Sequence, residues 1–333
     1  MRTPAGPGRR NLVVSFKARP EQKAFLAGAL ADAAEIGFLQ DVPEGEREKV
    51  LGGAEVILSW NIGREIAPLR VGVLRRTALL QLVSAGADHV PFDELPPEVV
   101  VAANAGAFAE PMAEHVMAMS LALAKRLCVQ NERLRHGEFD QLSPNRRLSG
   151  MTAGILGYGG IGRAAARLMR GFGMRIDAIN TTGRSPEPVD FIGTLADLEH
   201  VLRESDLVLV SLPLTRATRG LIRTEQLRWM KPESILINVA RAAVIDEADL
   251  YHHAQSHPGF LLGIDAWWTE PFGQGEFRMD HPFLELPNVL GSPHNSAVTA
   301  DSLRAAALKA VENVRRFLRG EAIAGAVDRD DYL

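Results

Sequence analysis

The stretch Gly154–Met174, GILGYGGIGRAAARLMRGFGM, decides how the chain is read. Gly157, Gly159 and Gly162 stand in G-x-G-x-x-G spacing, after a short apolar run and before an alanine-rich helical segment. Those are the two flanks that a dinucleotide-binding turn requires. Gly157 permits a tight turn, Gly159 lets the backbone approach a pyrophosphate, and Gly162 lets helix and strand pack closely. The start of the helix offers N–H groups and a positive dipole end to the phosphates, which makes Gly160 and Ile161 the candidate amide donors. With thirty glycines in 333 residues the triplet alone is a weak signal, and an ordinary strand-to-helix turn could carry it. The flanking strand and helix select the dinucleotide reading.

Outward from this turn the same grammar repeats. Downstream lie MRIDAIN, LVLVSLP, SILINVA and LLGIDAW, with helical stretches between them; upstream lie LVVSF, AEVILSW and ALLQLVSAG. Short runs rich in Val, Ile and Leu that alternate with helices indicate parallel sheets covered on both faces, an α/β fold. Between the two series, Glu110 to about Arg135 carries Met112, Val116, Met119, Leu121, Leu123 and Leu127 with no Gly, and no Pro after Pro111, and reads as one long helix. A polar connector, HGEFDQLSPNRRLSG, follows it.

At 333 residues the chain exceeds one compact core, so two domains with a cleft between them are expected. A composition 46% hydrophobic and 23% charged is that of a globular protein. A net charge of −4 argues against nucleic acid or an anionic membrane as the main partner. Cys128 is the only cysteine, which excludes an intrachain disulfide and an all-cysteine metal site and fits a reducing, cytoplasmic setting. Met1 to Arg10 lacks the apolar centre of a secretory signal and reads as a mobile tail, and no run of about 18 apolar residues follows it.

The choice between dinucleotides rests on the end of the strand after the glycine turn, where an acidic residue about 20 residues on would bind the ribose of NAD. Asp177 has the spacing but sits inside MRIDAIN, whereas Asn180 ends it. A neutral Asn180 does not repel a 2′-phosphate, and Thr181, Thr182, Arg184 and Ser185 supply hydroxyls and a guanidinium suited to one. The reading favours NADP over NAD, with a solvated loop cation as the other account of Arg184.

Seven segments, AGADHV, ANAGAFAEPMAEH, SGMTAGILGYGGIG, VSLPLTRATRGLI, NVARAAVIDE, DAWWTEP and LPNVLGSPH, follow one another over nearly the whole chain. In this order they resemble the D-isomer-specific 2-hydroxyacid dehydrogenases, the family containing glyoxylate and hydroxypyruvate reductases, D-glycerate and D-lactate dehydrogenases, and formate dehydrogenase. The resemblance implies a Rossmann-type doubly wound cofactor domain, residues 103–295, inserted in a smaller flavodoxin-like α/β substrate domain, residues 1–102 plus 296–333. It also implies Arg241 as the substrate-binding arginine, Glu270 as the supporting carboxylate and His294 as the acid/base. The chemistry needs these types independently. A guanidinium fixes a planar carboxylate with two parallel hydrogen bonds; an imidazole supplies a proton near neutral pH; a carboxylate on its second nitrogen orients it. The resemblance further implies that Asp265 meets the nicotinamide carboxamide, that Leu212, Pro213, Thr218 and Ala240 lie along the cofactor, and that amides at Ala85 and Gly86 meet the substrate carboxylate. Backbone donors at a glycine turn suit an anion. Trp60 and Asn61 fit either the same pocket or the small domain's core.

Ala242 stands where the family has Gly, and Trp267 and Trp268 either narrow the cleft or pack beneath their loop. His252, His253 and His257 in YHHAQSHPG read as a solvated face rather than a zinc site, so no metal is expected. The chain leaves no room for a further regulatory domain, and the long helix with its connector resembles the family's dimer surface, so a homodimer is expected. The activity implied is hydride transfer between NAD(P)H and a small 2-keto acid, glyoxylate or hydroxypyruvate first, with domain closure expelling water. The competing readings are a dinucleotide-sensing, corepressor-like binding protein, since fold alone does not fix function, and a formate- or phosphite-type dehydrogenase.

Overall fold

The computed structural model describes residues 10–333. The tail read from the sequence therefore falls on residues 1–9, outside the described ones, except Arg10, which opens a strand. The chain passes from a first unit to a second between Ala107 and Phe108 and returns between Val298 and Thr299.

The first unit contains β1 (Arg10–Val14), α1 (Pro20–Leu30), β2 (Ala34–Phe38), α2 (Arg47–Gly53), β3 (Val56–Ser59), α3 (Ile62–Glu65), β4 (Leu79–Leu82) and β5 (Val100–Ala102). Its parallel sheet has the order β2-β1-β3-β4-β5, the flavodoxin-like arrangement. All four residues of β3 and of β4 are buried, as expected of strands covered on both faces. Asn104 belongs to this unit: its backbone N–H donates to Ser84 O, and its Nδ2 donates to Val83 O at 3.1 Å and Ala306 O at 2.9 Å. Those bonds carry the boundary past residue 102, where the sequence placed it.

The second unit runs α4 (Ala109–Ala124), α5 (Leu127–Arg135), β6 (Thr152–Leu156), α6 (Gly160–Gly171), β7 (Arg175–Ile179), β8 (Phe191–Gly193), α7 (Leu198–Glu204), β9 (Leu207–Val210), α8 (Thr224–Trp229), β10 (Ile235–Asn238), α9 (Glu247–Ser256), β11 (Leu261–Ile264), α10 (Pro271–Gln274) and β12 (Val289–Gly291). Its seven parallel strands lie in the order β12-β11-β10-β9-β6-β7-β8. The order reverses direction at β6, so connections leave to opposite sides beside its carboxyl end, the place where an open α/β sheet takes its ligand. Helix α4 packs on α6 and on β10 and β11. The chain then re-enters the first unit as α11 (Ser302–Leu318), where Asn313 Nδ2 donates to the buried Gln81 Oε1 at 2.6 Å.

The single helix expected over residues 110–135 is two. Helix α4 stops at Ala124, Arg126 takes a left-handed φ of 52°, and α5 starts at Leu127. The connector causes the break by returning across the helix end: Arg146 N–H donates to Ala124 O at 2.9 Å and Lys125 Nζ to Arg146 O at 2.6 Å. The Arg146 guanidinium then ties the connector to the carbonyls of Glu233 and Gly259. Helix α5 buries no residue, so nothing on it demands the continued register. Among the described residues no helix is long and apolar enough to cross a membrane.

Of the three histidines of α9 and its end, His252 and His257 are exposed, as a solvated face requires, and His253 is half-buried. His253 stacks on His257 at 4.3 Å and meets Phe260 edge-on at 4.7 Å, with its Nε2 buried and unpaired. Burial, aided by His257, pushes its pKa down from 6.5 to about 4. Between those values the unfolded chain binds a proton that the native ring does not, so this group's contribution is present above about pH 6.5 and is lost as the pH falls toward 4. His253→Leu should therefore flatten the acid-side loss of stability, read as the difference between urea unfolding at about pH 7.5 and about pH 5. Parallel pH dependences in the two proteins would contradict it.

Candidate active site

Each glycine of the turn has the environment its position demands. At Gly157, φ is 103° and a β-carbon would lie 2.7 Å from the Ser211 carbonyl carbon, so the turn is pressed against the loop after β9. At Gly159 nothing lies within 4 Å, which leaves open space over the backbone. At Gly162 a β-carbon would fall 2.4 Å from Gly157 O and 2.9 Å from Ile155 Cγ2. Helix α6 begins at Gly160 with no acidic residue in its first turn, so its free N–H groups keep their positive end. Open backbone, free amides and an unneutralised dipole fit a dinucleotide pyrophosphate.

The loop after β7 is organised by Asn180. Its Oδ1 accepts from Thr182 N–H at 3.0 Å, Gly183 N–H at 2.8 Å and Thr182 Oγ1 at 3.2 Å, and its Nδ2 donates to Arg184 O at 2.8 Å. The amide is consumed in shaping the loop, while Thr181, Thr182 and Arg184 remain exposed and Ser185 folds onto Glu187. Asp177 sits mid-strand, 3% exposed, and burial raises its pKa; it is not at the ligand edge. After β9, Leu212 is buried, Pro213 is exposed, and Thr218 Oγ1 donates to Pro213 O at 2.6 Å, a bond that closes this loop.

The remaining candidates extend from the carboxyl ends of three neighbouring strands, β10, β11 and β12. Asn238, buried at the end of β10, accepts from Ala240 N–H at 3.0 Å and donates to Arg241 O at 3.3 Å, so it sets the curve that presents the half-buried Arg241. Beyond β11, Glu270 Oε1 accepts from Trp267 N–H at 2.6 Å, and beyond β12 His294 Nδ1 lies 2.7 Å from Glu270 Oε2 and 2.9 Å from Oε1. Both partners are partly exposed. Glu270 thus holds the ring by one nitrogen and leaves Nε2 for another partner. His294 has a left-handed φ of 49°.

Asp265 has no exposed surface. Its carbonyl accepts from His294 N–H at 2.9 Å, and its carboxylate from Ser292 Oγ at 2.6 Å, Asn295 N–H at 3.2 Å and Ser296 N–H at 3.4 Å. What the structure shows for Asp265 is a brace for the loop that carries His294. Trp267 is tied to that loop, its Nε1 donating to Ser292 O at 2.8 Å, whereas Trp268 packs away from it, stacked on Phe283 at 5.5 Å and donating to Ile245 O at 3.0 Å. Ala242 is buried in the turn after Arg241. In the first unit, Ala85 and Gly86 follow β4 and are half-buried. Glu65 there accepts from the N–H groups of Trp60 at 3.0 Å and Asn61 at 2.8 Å, fixing the loop after β3. Sequence reasoning missed Asn238 and Ser292; only the position of Asn238 at the end of a buried strand could have signalled its role.

Residues 117–296 match the family model for the D-isomer specific 2-hydroxyacid dehydrogenase NAD binding domain. The chain is 33% identical to a hydroxypyruvate reductase of Thermotoga maritima over 64% of this chain and 68% of that one. It is 30% identical to a glyoxylate reductase/hydroxypyruvate reductase of Mus musculus over 89% and 92%. The crystal structure of a D-lactate dehydrogenase from Aquifex aeolicus, complexed with NAD and lactic acid, superposes with a TM-score of 0.73 at 28% identity, covering 94% of this chain and 96% of that one. An NAD-binding-type sheet whose strand ends carry an arginine and a carboxylate-held histidine defines a dehydrogenase. The chain belongs to the D-isomer-specific 2-hydroxyacid dehydrogenase family.

The close approach at Gly162 is open to a direct test. Forcing a methyl group into it costs about 2 kcal/mol, so Gly162→Ala should lower the unfolding free energy by about that amount in urea. Gly171→Ala, on the same helix with nothing within 4 Å, should leave it unchanged or raise it. Equal effects would mean that the strand–helix contact does not set the packing.

Proposed function

We propose that this protein reduces a small 2-keto acid to the D-2-hydroxy acid with NADPH, with glyoxylate and hydroxypyruvate as the first candidate substrates. The observation that carries the reading is the Glu270–His294 pair at 2.7 Å beyond β11 and β12, with β10, which presents Arg241, next in the sheet. When bound, the reduced nicotinamide supplies the hydride to C2 of the keto acid. Arg241 holds the carboxylate through a two-pronged contact and polarises the carbonyl. His294 gives its Nε2 proton to the carbonyl oxygen as charge develops there, which completes the hydroxyl group. Glu270 keeps Nδ1 protonated, fixes the ring plane and faces the positive charge that the ring carries as an acid. Ala85 and Gly86 are assigned as carboxylate donors of the first unit.

Gly159, Gly160 and Ile161 present their backbone to the pyrophosphate in the turn that Gly157 and Gly162 shape, while Leu212, Pro213, Thr218, Ala240 and Asp265 belong to the cofactor's surroundings. Thr181, Thr182, Arg184 and Ser185 form the 2′-phosphate subsite on the loop that Asn180 closes. Support for NADP over NAD lies in the exposed guanidinium of Arg184 and in the lack of an acidic side chain at position 180. The relatives named for glyoxylate and hydroxypyruvate support the substrate class. The exposed Leu127, Leu134, Phe139 and Leu142 of α5 and the connector support a homodimer, and the lone cysteine supports a cytoplasmic setting.

Steady-state oxidation of NADPH and NADH with a panel of 2-keto acids tests the reading. Arg241→Ala should lower kcat/KM by about three orders of magnitude, about 4 kcal/mol of transition-state stabilisation. No turnover of any keto acid by a folded protein that binds dinucleotide would overturn the reductase reading and favour the sensing one. In the same assay, Arg184→Ala should raise KM for NADPH about tenfold while sparing NADH. An unchanged preference would remove Arg184 from the subsite.

A further inference from the structure

His294 is held in a conformation that a histidine does not favour. A φ of 49° at a residue other than glycine is strained and persists only where its surroundings determine it. The bonds that determine it converge on one residue, through its main-chain carbonyl and its side chain. Asp265 takes the N–H of His294 on its carbonyl at 2.9 Å and the N–H groups of Asn295 and Ser296 on its carboxylate at 3.2 and 3.4 Å. A carboxylate with no exposed surface stays in place only if it is itself hydrogen-bonded. Its shortest bond, 2.6 Å, comes from Ser292 Oγ.

A hydroxyl has one proton, and an ionised carboxylate can only accept, so the Ser292 proton points at Asp265 Oδ1. Met119 Sδ, 4.0 Å from Ser292 Oγ, is a far weaker acceptor than that carboxylate and does not compete for the proton. Ser292 Oγ then accepts from its remaining neighbour, His115 on α4, whose Nε2 lies 3.0 Å from Ser292 Oγ and 3.8 Å from Asp265 Oδ1. Proton bookkeeping thus fixes the ring as an Nε2–H donor. Donation runs from His115 Nε2–H to Ser292 Oγ and from Ser292 Oγ–H to the Asp265 carboxylate, which also accepts from the backbone N–H groups of Asn295 and Ser296, the two residues after His294. All four residues lie in the second unit. Ser292 also belongs to the loop itself, its carbonyl accepting from Trp267 Nε1 at 2.8 Å.

We infer that His115 is a positioning residue for the reaction: by donating through Ser292 to the buried carboxylate of Asp265, it holds the loop in which His294 keeps its left-handed conformation. This rests on the reading of His294 as the acid. Without the donor, the Ser292 hydroxyl is free to rotate off Asp265, and the buried carboxylate loses its shortest bond. The loop then relaxes while Glu270, on a different bond, still touches the ring.

The test compares His115→Leu, His115→Gln and Ser292→Ala in the full-length protein. Glutamine places an amide N–H near the position of Nε2, whereas leucine offers no donor. His115→Leu should lower kcat for 2-keto acid reduction at least tenfold with KM for the keto acid within about threefold. His115→Gln should recover most of that loss. Ser292→Ala in the His115→Leu background should add nothing further, since both break one chain. Amide hydrogen exchange should rise about tenfold at His294–Ser296 while β6 and β9 keep their protection. The exchange and its recovery by glutamine need no turnover. A wild-type protein inactive toward keto acids therefore defeats the function proposed above, while the exchange still decides the role of His115. Exchange and kcat unchanged in His115→Leu, a glutamine variant no better than leucine, or a loss confined to global stability would each overturn the inference.

Discussion

Between β6 and α6 there is no room for a β-carbon. That one exclusion sets the second unit: with a β-carbon at Gly162 falling only 2.4 Å from Gly157 O, the helix axis is brought down onto the strand end. Its first N–H groups are thereby aimed into the space left open above Gly159. Helix α4 packs on the outside of α6 and reaches β10 and β11, so the position of α6 is passed to the strands that carry the other candidate residues. His115, on α4, is one of the side chains placed by that contact.

Beyond β11, on the other side of β9 and β10 from β6, the constraint is electrostatic. Asp265 is a carboxylate removed from water, and such a group is tolerated only with donors on every side. The loop after β12 supplies those donors, three of them from Ser292, Asn295 and Ser296, and it bends into a left-handed residue to do so. The strain at His294 and the burial of Asp265 are two sides of one arrangement, in which each makes the other affordable.

The glycine turn was legible because its chemistry is local: three residues within six positions, flanked by a strand and a helix, leave few other structures open. The alternating apolar runs announced two parallel sheets for the same reason, since a strand buried on both faces cannot be polar. The helix break at Arg126 was not legible. No Gly or Pro marks it, and its cause is Arg146, twenty residues downstream, taking the carbonyl of Ala124. Likewise Asn180 could be placed at the strand end, but not its four bonds to its own loop, because a polar side chain before Thr-Thr-Gly reads equally as a ligand or as a turn former. The pairing of His115 with Ser292 spans 177 residues and follows no spacing rule. Motif order placed Glu270 beside His294 by resemblance; residue types alone could not.

Strand ladders that overrun their strands explain why residues so far apart in sequence hold a fixed geometry. Val239 N–H donates to Val210 O at 3.3 Å, Asp265 N–H to Asn238 O at 2.9 Å, and Ser292 N–H to Ile264 O at 2.9 Å. Each loop therefore leaves its strand one sheet-like bond later than the regular ladder does. The residues that follow, Arg241, Glu270 and His294, start from backbone as firmly held as the sheet itself, and each needs only a short local device to finish the placement: Asn238 for Arg241, Trp267 N–H for Glu270, and Asp265 for His294. Side chains mounted on rigid elements with a second layer of bonds behind them keep the geometry that a reacting site requires. In this chain those devices come from the ends of β10 and β11, two of the same parallel strands, which is why the sheet order, more than any loop, determines what the site can do.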